Sequence, residues 1–222
     1  MNYKKYWPFV AVIVFAIVVV GGIFAFKKLT APIDNGSTSV DESVPDLPQS
    51  QWPIVELIPS SDGHYVSLNV TGINVPTATS MDYILEYKAN NGVGQTTQGV
   101  PGTIQLNGQT GVSRDSILLG SESSGHIRFD SGVETGQLTL RFRDGNGKLL
   151  GKVVSDWHLQ TNTTDLSSVD GSFKYTLSKA ATGVWFITIK PFGTPSSPNL
   201  VVNQNGYAIY SSDGKPHAGS SN

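Results

Sequence analysis

The chain has 222 residues, of which 38% are apolar and 14% charged, with a formal net charge of −2. So low a charged fraction excludes a charge-driven disordered chain, and the near-neutral balance gives no basic footprint for nucleic acid. Cysteine is absent, which excludes disulfides, thiolate metal sites, iron–sulfur clusters and thiol catalysis. Glycine (24) and proline (12) are frequent, the punctuation of many turns and short strands.

Residues 1–6 are read as a cytoplasmic N-terminus and 7–29 as a transmembrane signal anchor. Trp7 to Phe26 is 20 residues without a charge, enough as a helix to cross a bilayer core of about 30 Å. Lys4 and Lys5 precede it, Lys27 and Lys28 follow it, and Tyr6, Trp7 and Phe26 sit where aromatic rings suit the headgroup interface. A cleaved signal peptide has a shorter apolar run and a small-residue cleavage site, whereas here Ala31 is followed by Pro32. The segment is therefore expected to be retained. The lysines tie across it, and the α-amine tips the orientation toward an N-terminus inside and a C-terminal part outside the cytoplasm.

Residues 30–53 carry Asp34, Asp41, Glu42 and Asp46 against no base, with Pro32, Pro45, Pro48 and Pro53 interrupting any helix. Such a stretch cannot bury a core and is expected to be an extended acidic stalk.

From Ile54 the hydrophobic period is two. Val66, Leu68 and Val70 share one side of a strand, as do Tyr83, Leu85 and Tyr87, then Ile127 and Phe129, then Leu138, Leu140 and Phe142, then Phe173, Tyr175 and Leu177, and finally Trp185, Ile187 and Ile189. This is the pattern of half-buried antiparallel strands. The expected fold class is all-β: an immunoglobulin- or fibronectin-III-like antiparallel sandwich over 54–160, with 161–222 forming two further hairpins packed on it and a frayed tail from Ser211. Residues 161–170 read as a polar break. The Asp144-Gly-Asn-Gly147 turn pairs Arg143 with Lys148, Phe142 with Leu149 and Leu138 with Val153. An Asn205-Gly206 turn pairs Gln204 with Tyr207 and Val202 with Ile209.

The run Gly120–Gln160, GSESSGHIRFDSGVETGQLTLRFRDGNGKLLGKVVSDWHLQ, taken with GVWFITIKPFG and the N-terminal apolar segment, resembles uncharacterised signal-anchored β-sandwich surface proteins of poorly characterised bacterial lineages. The resemblance implies an anchored extracytoplasmic domain and brings no activity, cofactor or functional residue with it.

Few residues suggest chemistry. Asp144-Gly-Asn-Gly-Lys148 opens like a calcium loop, but Lys148 occupies the fifth position and Ser155 the twelfth, so a plain hairpin turn is the better reading. His64, His126, His158 and His217 have no metal-ligand spacing. His126 and His158 alternate with apolar positions and are expected to face solvent. No G-x-S-x-G elbow supports a serine nucleophile. Asn91-Gly-Val-Gly94 lacks the lysine of a phosphate loop. Asn35, Asn69 and Asn162 begin formal glycosylation sequons. Trp157 and Trp185 could form a sugar platform, but each shares a strand face with aliphatic residues and is expected in the core. Trp52 is expected at the edge of the domain.

No catalytic, cofactor or metal residue is therefore assigned, and no enzyme is expected. The expected function is that of a single-pass, membrane-anchored extracytoplasmic module for surface adhesion, recognition or envelope assembly. Its partners would be the bilayer, through Trp7 to Phe26, and an extracellular protein or glycan, with no nucleic acid. The alternative is a carbohydrate-binding or cell-wall-modifying protein whose carboxylates, thirteen in 54–222, converge only in three dimensions. A pilin-like subunit fits less well, because the apolar segment has no acid and ends at Pro32 and Gly36.

Overall fold

The computed structural model describes residues 44–195 and 206–221. The apolar segment, the first part of the acidic stretch and the Asn205 turn lie outside the described residues. Among the described residues there is no α-helix and no helix long and apolar enough to cross a membrane.

Among the described residues, fourteen strands follow a short 3-10 turn at Gln49–Gln51. They are β1 (Ile54–Pro59), β2 (Tyr65–Thr71), β3 (Ala78–Asn90), β4 (Gln95–Gln105), β5 (Val112–Leu118), β6 (Gly120–Ser123), β7 (His126–Phe129), β8 (Thr135–Asp144), β9 (Leu149–Thr161), β10 (Asp165–Ser167), β11 (Lys174–Leu177), β12 (Trp185–Ile189), β13 (Ala208–Ser211) and β14 (Gly219–Ser221). A six-stranded sheet has the order β13-β12-β9-β8-β3-β4, and a three-stranded sheet the order β1-β2-β5. Every named pairing is antiparallel, and no sheet closes on itself.

The two sheets form a β-sandwich-like pair around one core. Val55, Leu57, Val66, Leu68 and Val70 come from the smaller sheet; Tyr83, Leu85, Leu138, Leu140, Phe142 and Trp157 come from the larger. Alternation explains the split: each strand turns its apolar set inward and its polar set to water. The chain stitches the sheets together beyond β12, where Val55 N donates to Pro191 O and Gly193 N to Pro53 O. Tyr210 on β13 adds a hydroxyl donated to Val55 O at 3.1 Å.

The larger sheet is covered on its other face at one edge. β10, β11 and β14 form a three-stranded sheet, and Leu166, Phe173, Tyr175 and Leu177 cluster with Phe186 and Ile209. Both faces of β12 and β13 are thus buried, with Ile187, Ile189, Ala208 and Tyr210 in the main core and Phe186 and Ile209 in the second. The polar break read at 161–170 contains the end of β9 and all of β10. The expected frayed tail contains β14, whose Ser221, Ser220 and Gly219 pair with Tyr175, Thr176 and Leu177. Backbone pairing needs no apolar side chains, so the polar sequence hid both. Ile209 pairs with Thr188 of β12; Val202, its expected hairpin partner, lies outside the described residues.

The end of the acidic stretch is also folded. Leu47 is buried against Gly151, its N–H donates to Lys152 O at 2.8 Å, and Trp52 Nε1 donates to Leu47 O at 2.9 Å. β12 pairs only with the second half of β9; Asp46 and Leu47 occupy the edge of the first half. One leucine among prolines is enough to dock the segment, so residues 44–53, expected as tether, belong to the folded unit.

The Asp144 turn corrects the expected register. Asp144 Oδ1 accepts the N–H groups of Asn146 and Lys148, each at 2.9 Å, and Asp144 N donates to Lys148 O. The hairpin is therefore closed by Asp144 and Lys148. Arg143 pairs with Leu149, a bulge follows, and Phe142 lies opposite Gly151, Leu140 opposite Val153 and Leu138 opposite Ser155. The shift from the expected partner of Phe142 is two residues, and an even shift keeps every side chain on its face.

Candidate functional site: a cleft at one end of the sandwich

The sandwich carries an open cleft of about 550 Å³, within the size range of small-ligand sites, about 300–1,000 Å³. Four separate segments line it: the turn between β1 and β2, the chain from β7 into β8, the end of β9, and Trp185 at the start of β12. It lies at the end opposite the 145–148 turn. β9 begins beside that turn, where Leu47 docks, and runs 13 residues to the cleft.

The first wall is built by a local device. Ser60 Oγ donates to Asp62 Oδ1 at 2.5 Å and accepts Tyr65 N at 2.9 Å, Asp62 Oδ1 accepts His64 N at 3.1 Å, and Gly63 N donates to Ser60 O. Gly63 has φ +73°, and a Cβ there would lie 2.5 Å from the Trp185 ring. Both facts require glycine. The same S-x-D-G turn recurs at Ser168–Gly171 and Ser211–Gly214, with Gly171 at φ +69° and Gly214 at +64°. There Asp170 Oδ1 accepts Ser172 N and Asp213 Oδ1 accepts Lys215 N. The three hydroxyl-and-carboxylate turns are a signal present in the sequence that the strand reading passed over. Hydrogen bonds from Ser60 and His64 N–H outweigh burial and hold the Asp62 carboxyl below its ordinary range.

The turn presents His64 flat against Phe129, ring centroids 4.0 Å apart and planes 8° from parallel. Tyr65 meets Phe129 near the perpendicular, at 5.8 Å. Phe129 nevertheless remains 41% exposed. β6 and β7 pair only with each other, so Ile127 and Phe129, expected on a half-buried strand, stand at the surface.

The acids of the cleft are Asp130 and Glu134. Asp130 Oδ2 accepts the Tyr87 hydroxyl at 3.0 Å. Burial, together with this carboxylate, pushes the Tyr87 hydroxyl well above the usual phenol value, so it stays a donor. Glu134 is exposed. His158, half-buried rather than facing solvent, contacts Ser167 O through Nδ1 at 2.9 Å. A carbonyl can only accept, so Nδ1 carries a proton in that contact; the Ser167 hydroxyl lies 3.4 Å from the same nitrogen. A Ser–His–Asp relay would need an imidazole between hydroxyl and carboxylate. Here Asp130 is engaged by a tyrosine, and the carbonyl and hydroxyl of Ser167 both meet the one nitrogen Nδ1 of His158, which does not place the ring between hydroxyl and carboxylate.

The other candidate residues go elsewhere. Trp157 is fully buried, and Trp185 is half-buried against the same core while bordering the cleft. Trp52 packs edge-on with Phe192. His126 is exposed on β7. His217 contacts Asp213 at 3.0 Å and abuts Phe186. Asn91 Oδ1 caps its own turn by accepting Val93 and Gly94 N–H. Asn69 is within a strand and Asn162 is exposed. Asn35 lies outside the described residues. Among the described residues no three His, Asp or Glu side chains gather as a metal site.

No protein-family model, curated protein or solved structure matches this chain.

Proposed function

We propose that the protein is a single-pass, membrane-anchored extracytoplasmic module that binds a ligand at the cell surface without transforming it. The observation that carries this reading is the cleft, which combines an exposed aromatic ring with polar acceptors. Its position at the end away from the docked Leu47 suits a module presented on an N-terminal tether. The uncharged stretch Trp7 to Phe26 supports the anchor. The engagement of Asp130 by Tyr87 and of His158 by Ser167 favours binding over catalysis.

The fold supports a fibronectin-III-like identity for the central sandwich. One sheet has the order β1-β2-β5, and the facing part of the other reads β4-β3-β8-β9. This is a Greek-key arrangement in which β5 returns to the first sheet before β8 joins the second. The strands after β9 are additions to that plan.

Two measurements test the reading. Protease added to intact cells is expected to release the β domain; complete protection would contradict the orientation. Full-length protein in lipid nanodiscs is expected to co-sediment with cell-envelope material from its own host, and Phe129→Arg to reduce that retention. Equal retention of both would remove the cleft from the function.

A further inference from the structure

Resting on that reading, we infer that the cleft binds a neutral saccharide, one sugar ring lying against Phe129, its hydroxyls donating to Asp130 and Glu134 and one hydrogen-bonded to the His158 ring. Three observations converge on this ligand class.

The first is the aromatic surface. Phe129 is the one aromatic residue among the large apolar side chains that stand exposed in the described residues, and it is braced by His64 rather than free to turn away. A rigid ring offers contact area at little entropic cost, and the C–H face of a pyranose is an apolar surface of similar size. Trp185, wedged against Gly63, extends the apolar wall.

The second is the excess of acceptors. Asp130 uses Oδ2 for Tyr87 and keeps Oδ1. Glu134 brings two more oxygens, and His158, whose Nδ1 is turned to Ser167, adds a ring nitrogen to the lining. A ligand that supplies several O–H donors on one rim satisfies this set, as a sugar does.

The third is charge. The lining contains two carboxylates and, among the described residues, no Lys or Arg. Uronic acids, sialic acids and phosphorylated glycans would meet like charge without a counter-ion. A cationic peptide is the competing ligand for such a lining. It is disfavoured because the lining sets its acceptors beside exposed ring area on Phe129, which the apolar face of a pyranose covers.

The test is calorimetric titration of the full-length protein in phosphatidylcholine nanodiscs, which present no sugar headgroup. The probes are chitotetraose, cellotetraose and maltotetraose, with tetralysine as the competing class. At least one neutral tetrasaccharide is expected to bind. Phe129→Ala is expected to weaken it about tenfold or more, by removing the stacked contact area. Ile127→Ala, on the same hairpin and at least as exposed but outside the cleft, is expected to leave it unchanged. Thermal melts of both variants check that the fold persists. The inference is overturned if no neutral tetrasaccharide binds at about 10 mM, if Phe129→Ala binds as well as the native chain, or if tetralysine binds in preference. If envelope retention still depends on Phe129 while no tetrasaccharide binds or competes, the recognition reading stands and the saccharide inference alone fails.

Discussion

The imidazole of His64 lies flat on the ring of Phe129, with the planes 8° from parallel, although 65 positions separate them (129 − 64). The contact joins the β1–β2 turn to the β6–β7 hairpin, which pairs with no other strand. Gly63 makes it possible by letting the turn press against Trp185. Gly63→Ala is therefore expected to destabilise the domain by about 1–3 kcal/mol more than Gly92→Ala. Both glycines have left-handed φ, so the backbone penalty is shared, but a Cβ at Gly92 meets nothing within 4 Å. Denaturant midpoints of the two variants measure the difference.

Phe142→Ala is expected to cost about 3–5 kcal/mol, because the ring is fully buried and its loss leaves a cavity. Arg143→Ala is expected to cost about 0.5–1 kcal/mol. Its guanidinium contacts Asp82 at 2.6 Å and Gly147 O at 3.0 Å, but at 35% side-chain exposure solvent screens the pair. Urea unfolding of each variant tests the face assignment at the end of β8.

Thr188 is buried between β9 and β13, and its hydroxyl has no hydrogen-bond partner among the described residues. An unpaired buried hydroxyl costs stability, while a methyl of the same shape does not. Thr188→Val is expected to raise stability by about 1 kcal/mol, seen as a higher urea midpoint with an unchanged slope.

Asp170 accepts the Ser168 hydroxyl first, then the Ser172 N–H and hydroxyl and the Tyr207 hydroxyl; these bonds hold its carboxyl far below the ordinary range. A depressed folded-state value means that the stabilisation is present above the unfolded value, about 3.9 for Asp, and is lost as pH falls through the folded one. Native stability is therefore expected to decline below about pH 4, and Asp170→Asn to decline less steeply there. Melting temperatures at pH 7, 4 and 3 read this directly.

The strand faces were legible because alternation is a local property. Leu138, Leu140 and Phe142 point inward as their spacing requires, and so does Trp157. The turn register was not legible, because the Asp144 carboxylate captures two N–H groups and moves the closing pair by one residue before the bulge. Nor can alternation tell a strand that faces a second sheet from one that stands alone, which is why Ile127 and Phe129 looked half-buried. Leu47 and β14 were hidden because one apolar contact, or backbone bonds alone, hold them. The cleft draws on residues 63–64, 129–134, 158–161, 163 and 185, and no sequence window contains it. Its one readable trace was the repeated S-x-D-G turn.

Hydrogen–deuterium exchange on the full-length protein in nanodiscs, with and without host envelope material, tests the central claim most directly, because it locates a binding surface without assuming the ligand. The account predicts added protection in residues 62–65, 129–134 and 158–163, with the turns at 72–77 and 145–148 unchanged. Protection confined to those two turns or to the β4 edge, with the cleft segments exchanging as before, would contradict it.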